Sequence, residues 1–498
     1  MAKIIGREQE QRELLERYAS DRSEFVAVFG RRRVGKTFLI RETLADKITF
    51  QHTGLNSYDE ENPVTTDDQL RYFYNHLLEY GLQDADRPKD WMEAFFLLEK
   101  LLKQLDNGGR QVVFIDELPW LDTEGSRFLV ALEAFWNGWA DGRNIMLVVC
   151  GSAASWMIKN LINNTGGLYG RLTWEMKLSP FNLREAEQML TSQGVALSRY
   201  DQVQLYMAIG GMPYYLSYVQ RGMSLAQNID VLFFRRNAKL RLEFERLFRS
   251  QYKNYQGFES IVRFLSTKHC GYTRTEIAAA VGQSDGGAFS KKLKALEESD
   301  FIVSYRPYDA EKYETLYRLT DPFCLFYLRF VDNKPASNSF WQDNEHSATI
   351  RTWRGLAFEE LCMLHVPQIK RALGIVGVAS RESALTLRHD ENHDGAQMDM
   401  IIDRSDNVVN LCEMKFYADD VEIDKEEDRK LRHRISMLTA TLNRRQSLQT
   451  VLITSFGLRQ GMYSGIFVRT VMLDDLLLLN LPIEREGVAA MLVVVEGD

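Results

Sequence analysis

Residues 24–44 read EFVAVFGRRRVGKTFLIRETL, and they decide the fold. The apolar run Phe25–Phe29 has the length and composition of a buried strand. Gly30, Arg31, Arg32, Arg33, Val34, Gly35, Lys36 and Thr37 then fit GxxxxGK[ST], and the following TFLIRETLA is a helical run. A strand, a glycine-bounded loop and a helix in that order suit a polyphosphate. The glycines let backbone N–H groups approach closely, and the helix N-terminus adds partial positive charge. Lys36 reaches the outer phosphates, and the Thr37 hydroxyl is available to Mg²⁺.

Working outward, the run Val112–Ile115 ends in Asp116 and Glu117. A carboxylate pair at the end of a neighbouring strand supplies a water-mediated Mg²⁺ partner, Asp116, and a group to orient or deprotonate attacking water, Glu117. Further strands are expected at Lys47–Gln51, Ile145–Cys150 and Trp174–Leu178, with helices over Asp67–Tyr80, Trp91–Leu105 and Gly125–Trp139. This alternation predicts an α/β fold with a parallel sheet covered by helices on both faces. Ser152, after the fourth strand, is either a polar turn residue or a contact to the γ-phosphate and its water. Arg171 is either a surface arginine or a finger reaching a neighbouring copy's site.

The 498 residues predict about three domains at roughly 150 residues each. A hydrophobic content of 45% with 26% charged residues fits full-sized globular cores. The net charge of −8 argues against a general coat of nucleic-acid-binding charge while permitting local basic faces. Five scattered cysteines without a CxxC suit a reducing, cytoplasmic setting, and no apolar run is long enough to span a membrane.

Residues 181–250 are expected to be helical throughout. Between 235 and 256 lie seven Lys/Arg and two Glu, a local charge of +5. Helices at Gly257–Lys268, Thr273–Val281 and Gly287–Glu298 precede strands at Phe301–Tyr305 and Thr315–Leu319. This order resembles a winged helix, with Ser290, Lys291, Lys292 and Lys294 on or near the outward side of its third helix. Further on, MDMIIDRSDNVVNLCEMKF (398–416) reads as a hairpin turning at Arg404–Asn407. If Asp403 pairs with Val409, Asp399 faces Glu413. Period two then gathers Asp399, Glu413 and Lys415 on one face and Met398, Met400, Cys412 and Met414 on the other. Two opposed carboxylates repel unless a divalent cation lies between them, and Lys415 could then position the attacking water.

Taken together, Ile5–Glu10 (IGREQE), GRRRVGKT, VVFIDELPWL, the CGS turn and Gly210–Pro213 (GGMP) resemble the archaeal-type P-loop ATPases, near the AAA+ and STAND NTPases. The resemblance implies an ATP- and Mg²⁺-dependent hydrolase. It implies that Gly6 and Arg7 lie beside the adenine and that Pro213, in a helical lid, touches the nucleotide. The D…ExK hairpin resembles the PD-(D/E)xK nuclease core. That implies Mg²⁺ or Mn²⁺ held by Asp399, Glu413 and an acid of the helix RGLAFEELCMLH, with Glu359 preferred to Glu360. In place of the Gln or Lys that such cores often carry on the next helix, this chain has Arg429, Lys430, Arg432, His433 and Arg434. The expected organisation is an ATPase core (1–180), a lid (181–250), a winged helix (251–335) and a restriction-endonuclease-like domain (345–498). The expected function is an ATPase coupled to a DNA-directed, nuclease-like module. The alternatives are an ATP-dependent signalling or scaffold switch with an inactive nuclease-like domain, and an oligomeric DNA motor.

Overall fold

A computed structural model describes residues 4–58, 63–308, 315–387 and 396–477. Strands β1 (Glu24–Phe29), β2 (Ile48–Thr53), β3 (Gln111–Asp116), β4 (Ile145–Gly151) and β5 (Trp174–Lys177) form one parallel sheet in the order β2-β3-β4-β1-β5. Strands β1, β3 and β4 are buried along their whole length, so alternate residues feed two separate cores. Val26, Val28, Val112, Phe114 and Val148 face the lid side, whereas Phe25, Ala27, Val113, Ile115 and Leu147 pack under the helices Thr66–Glu79, Trp91–Gln104 and Phe128–Phe135. This two-sided burial is why the strands read as continuous apolar runs rather than as alternating ones.

The helix expected over Gly125–Trp139 is shorter. Gly125 and Arg127 take positive φ, so regular helix begins only at Phe128, and Trp136–Ala140 closes it as a π-helical turn. Residues 183–251 are helical, as Leu183–Ser192, Arg199–Ile209, Pro213–Leu216, Leu225–Ile229, the π turn Asp230–Phe234 and Glu243–Gln251. Three helices follow, Gln256–Leu265, Arg274–Ala280 and Gly287–Glu298. A small antiparallel sheet accompanies them, in which β8 (Leu316–Leu319) lies between β6 (Tyr272–Thr273) and β7 (Ile302–Tyr305).

Helices Pro322–Phe330, Phe340–Asn344, Ala348–Leu364 and Val366–Ala372 lead into the last sheet. Its order is β13 (Arg469–Met472), β12 (Ser447–Thr454), β11 (Val408–Lys415), β10 (Ala396–Arg404) and β9 (Ser380–Leu387), antiparallel from β9 to β11 and parallel beyond. The helix Lys425–Thr441 covers one face. The hairpin register has Asp403 opposite Val409 and Met400 opposite Cys412. One expectation fails here. A bulge between Met398 and Ile401 flips Met398 to the face of Ile401, Val409, Leu411 and Leu438, away from Met400, Cys412 and Met414.

The two halves of the chain are not separate bodies. A continuous apolar cluster runs from Leu14 through the lid and the middle helices to Cys412 and Leu477. Tyr200 of the lid stacks on Phe416 of the last sheet, with ring centroids 4.6 Å apart and planes 5° from parallel. Among the described residues no helix is long and apolar enough to cross a membrane, and all five cysteines are free.

Candidate nucleotide site

The turn after β1 opens on a cavity of about 520 Å³. Its walls come from three places: Arg32–Leu39 of the loop and its helix, Ile4, Ile5 and Arg7 ahead of the first helix, and Phe181, Met189, Pro213 and Tyr214 of the lid. Glu117 closes one side. Two loop positions demand glycine. A Cβ on Gly30 would lie 2.3 Å from the Leu178 carbonyl oxygen, and Gly35 has a φ of +94° with open space around it. The helix Lys36–Thr43 therefore starts against the cavity with bare amides, a shape and polarity that fit a phosphate chain.

The side chains expected to act there do converge. Lys36 Nζ donates to the carbonyls of Gly30 (2.9 Å) and Arg31 (3.1 Å), which holds the ammonium within the loop. Thr37 Oγ1 donates to Asp116 Oδ2 at 2.9 Å, so a hydroxyl and a carboxylate stand together as hard oxygen donors of the kind Mg²⁺ takes. Asp116 also accepts from the buried Cys150 thiol. Glu117 sits at φ +48°, a left-handed conformation that turns its side chain back over the strand ends. Its Oε2 accepts from the Ser152 N–H (2.9 Å) and hydroxyl (2.8 Å). Ser152 thus fixes the orientation of Glu117.

The three loop arginines separate. Arg31 is absent from the cavity wall. It is fully buried, paired with Asp321 and stacked 4.1 Å over Phe301. Burial opposes its charge, but the Asp321 carboxylate outweighs that and raises its pKa. Arg33 pairs with Glu243 at 2.5 Å and lies 4.0 Å over the Tyr214 ring. Arg32 remains in the cavity. Gly6, at φ +62°, allows the chain to approach Glu185. The Arg7 guanidinium is taken up by the Ser179 carbonyl, Glu10 and the Phe181 ring, which fastens the N-terminal segment to the lid.

Arg171 is elsewhere. It precedes β5 at the edge of the sheet opposite the loop, is largely exposed, and pairs with Asp141 at 3.4 Å. In its own chain it does not reach the cavity. Several residues with a place at the site were not among the sequence candidates: Tyr214, Phe181 and Met189 as walls, Tyr58 buried beside Glu117, and Asp321 and Glu243 as the acids holding the loop arginines. Only Tyr214 carried a signal, as the neighbour of Pro213.

In the C-terminal sheet, Asp399 accepts from the Met414 N–H at 3.1 Å. Burial, then Glu413 and Glu359, hold its carboxyl well above the usual range. Glu413 is paired with Lys415 at 3.0 Å and with Arg434. Glu359 pairs with His269 at 3.0 Å, and Glu360 is buried against Arg318 at 3.0 Å. Among the described residues no three His, Cys, Asp or Glu side chains are arranged to hold a metal ion.

Residues 4–219 match the profile of a family described as an ATPase domain predominantly from Archaea. An uncharacterized protein of Methanocaldococcus jannaschii is 23% identical over 362 residues, covering 72% of this chain and 76% of its own. The Walker-type ATPase of Pyrococcus abyssi superposes with a TM-score of 0.46 at 18% identity, over 66% of this chain and 96% of its own. The ORC2 protein of Aeropyrum pernix, solved with ADPNP and ADP, gives 0.39 at 14% identity over 66% and 94%.

Proposed function

From an ATPase domain over residues 4–219, we propose that this chain is a Mg²⁺-dependent ATP hydrolase whose nucleotide state is passed to its C-terminal half as a switch. The observation that carries the reading is the convergence of Lys36, the Thr37–Asp116 pair and the Ser152-held Glu117 around one cavity.

In this mechanism the loop amides and Lys36 bind the β- and γ-phosphates, and Ile4, Ile5, Phe181 and Met189 form the apolar side for the base. Asp116 and Thr37 would hold Mg²⁺, which supplies neutralising charge to the phosphate oxygens when bound. Glu117, fixed by Ser152, orients a water and takes its proton as the water oxygen bonds to the γ-phosphorus. The bond from that phosphorus to the β,γ-bridging oxygen breaks, and the electron pair leaves with ADP. Lys36→Ala should abolish nucleotide binding and turnover. Glu117→Gln should keep Mg·ATP binding and lose roughly 10²–10⁴-fold in kcat, the range for a general base. Unchanged turnover in Glu117→Gln would falsify the role given to it.

The switch reading draws on the arginines next to Lys36. Arg33 ties the loop to the lid helix Glu243–Gln251, and Arg31 ties it to Asp321 ahead of the helix Pro322–Phe330. We read 256–319 as a winged helix that such movement would shift toward or away from DNA. The supporting features are its helix order, its three-stranded sheet and the exposed Lys291. The helix Gly287–Glu298 also packs on Ala154–Met157 beside the ATPase site. A homo-oligomer would give Arg171 a neighbouring site, and light scattering with a slowly hydrolysed ATP analogue tests that.

A second reading, metal-dependent cleavage by the last sheet, is favoured by one observation: Asp399, Glu413 and Glu359 repel one another strongly enough to shift Asp399. The closed pairing of Glu413 with Lys415 and Arg434 favours the switch. Titrating Mn²⁺ into the full chain separates the two. Under the switch reading Mn²⁺ leaves thermal stability unchanged with the nucleotide site saturated by Mg·ADP, and plasmid stays intact. A rise in Tm that Asp399→Asn abolishes would favour cleavage.

A further inference from the structure

We infer that Arg32 is the arginine that contacts the γ-phosphate, supplied by the chain to its own site. This inference rests on the ATPase reading above and adds a group to it.

The three consecutive arginines differ in what surrounds them. Arg31 and Arg33 each have a carboxylate, Asp321 and Glu243, and each lies about 4 Å over an aromatic ring. Among the described residues no carboxylate is within ion-pair distance of Arg32, and its Nη1 is buried without a hydrogen-bond partner. Its guanidinium lies 5.6 Å over Trp120, two residues beyond the start of the short helix that follows Glu117. It lines the same cavity as Lys36, Thr37 and Glu117. Burial lowers its pKa, and Glu117 is the group that most opposes this.

A guanidinium with an unmet N–H, in a cavity built for a polyanion, is a fork waiting for paired oxygens. The terminal phosphate has three such oxygens, and ADP lacks them. Arg32 lies on the Glu117 side of the cavity, where hydrolysis takes place, whereas Arg171 lies across the sheet. With ATP bound, Arg32 turns its charge from Glu117 to the γ-phosphate oxygens. Glu117 is left as a free base, and the arginine offsets the charge that gathers on the transferring group. Trp120 limits the guanidinium to one plane, so little rotamer freedom is lost in the contact.

The experiment compares full-length wild type, Arg32→Ala and Arg32→Gln for Mg·ADP and Mg·ATPγS affinity, trapping of Mg·ADP by aluminium fluoride, and kcat over a hundredfold range of protein concentration. The inference predicts ADP affinity within about twofold of wild type. It predicts ATPγS affinity about tenfold weaker, trapping lost, and kcat lower by roughly 10³-fold, the lower end of what an arginine finger contributes. Wild-type kcat should not depend on protein concentration. Arg32→Gln keeps length and polarity and should behave as Arg32→Ala, which separates the loss of charge from misfolding. Wild-type trapping and turnover within threefold in both variants, or an equal loss of ADP and ATPγS affinity, overturns the role of Arg32 and leaves the ATPase reading standing. A wild type that neither binds nor hydrolyses nucleotide overturns both.

Discussion

His365 shows how single side chains join distant parts of this molecule. It is fully enclosed, and its two ring nitrogens do different work. Nδ1 donates to the Leu361 carbonyl at 2.8 Å, while Nε2 accepts the Leu183 N–H at 3.1 Å and so caps the first lid helix. Only the neutral ring can do both. Burial drops its pKa from 6.5 to about 4. The folded pKa lies below the unfolded one, so the contribution is complete above pH 6.5 and is lost as pH falls toward 4. Two and a half units correspond to about 3 kcal/mol. Urea unfolding of wild type and His365→Gln at pH 7.5 and pH 4 should show wild type losing about that much more than the variant. Equal losses would remove the assignment. At this scale the sequence was legible where partners are neighbours in a motif. Lys36, Thr37, Asp116 and Glu117 declare themselves by spacing, because phosphate chemistry constrains spacing. Asp321 did not, because it meets Arg31 across 290 residues and nothing local marks an acid for such a partner.

Among the elements, the parallel strands were read almost to the residue, since full burial on both faces leaves an apolar run with polar ends. The hairpin register was also readable from one assumed pair. What failed was the local face of Met398, because a bulge shifts the phase by one residue and no residue type announces it. The loop and the helix Pro322–Phe330 act as one unit through Arg31 and Asp321. Asp321 Oδ1 also caps that helix by accepting from the Cys324 N–H at 2.7 Å. Asp321→Asn keeps a capping acceptor and removes the charge, leaving Arg31 as an uncompensated buried cation. The expected loss is about 3–5 kcal/mol in chemical denaturation, with much of it recovered in Arg31→Met/Asp321→Leu. A double variant no better than the single one would show that the pair is dispensable.

For the whole molecule, the four segments legible in the sequence differ from units of stability. Their boundaries were visible because composition and periodicity change along the chain. Their mutual packing was invisible because an apolar residue does not say which core it joins. The lid shares walls with everything after it: Tyr200 lies between Phe416 and Phe456, and buried Asp230 accepts from the Trp341 N–H at 2.7 Å and the Gln342 amide at 3.0 Å. Thermal unfolding should therefore appear as one calorimetric transition, followed alike by tryptophan fluorescence and far-ultraviolet ellipticity. Two resolved transitions, with the 345–498 segment melting alone, would contradict a shared core.

The aromatic stack of Tyr200 on Phe416 bears on any attempt to divide the gene. Cut near residue 335 and produced separately, both pieces would carry sticky, half-finished surfaces and precipitate. Made together in one cell, they should find each other and dissolve as a nicked pair, a behaviour expected of a single folded body and foreign to beads on a string.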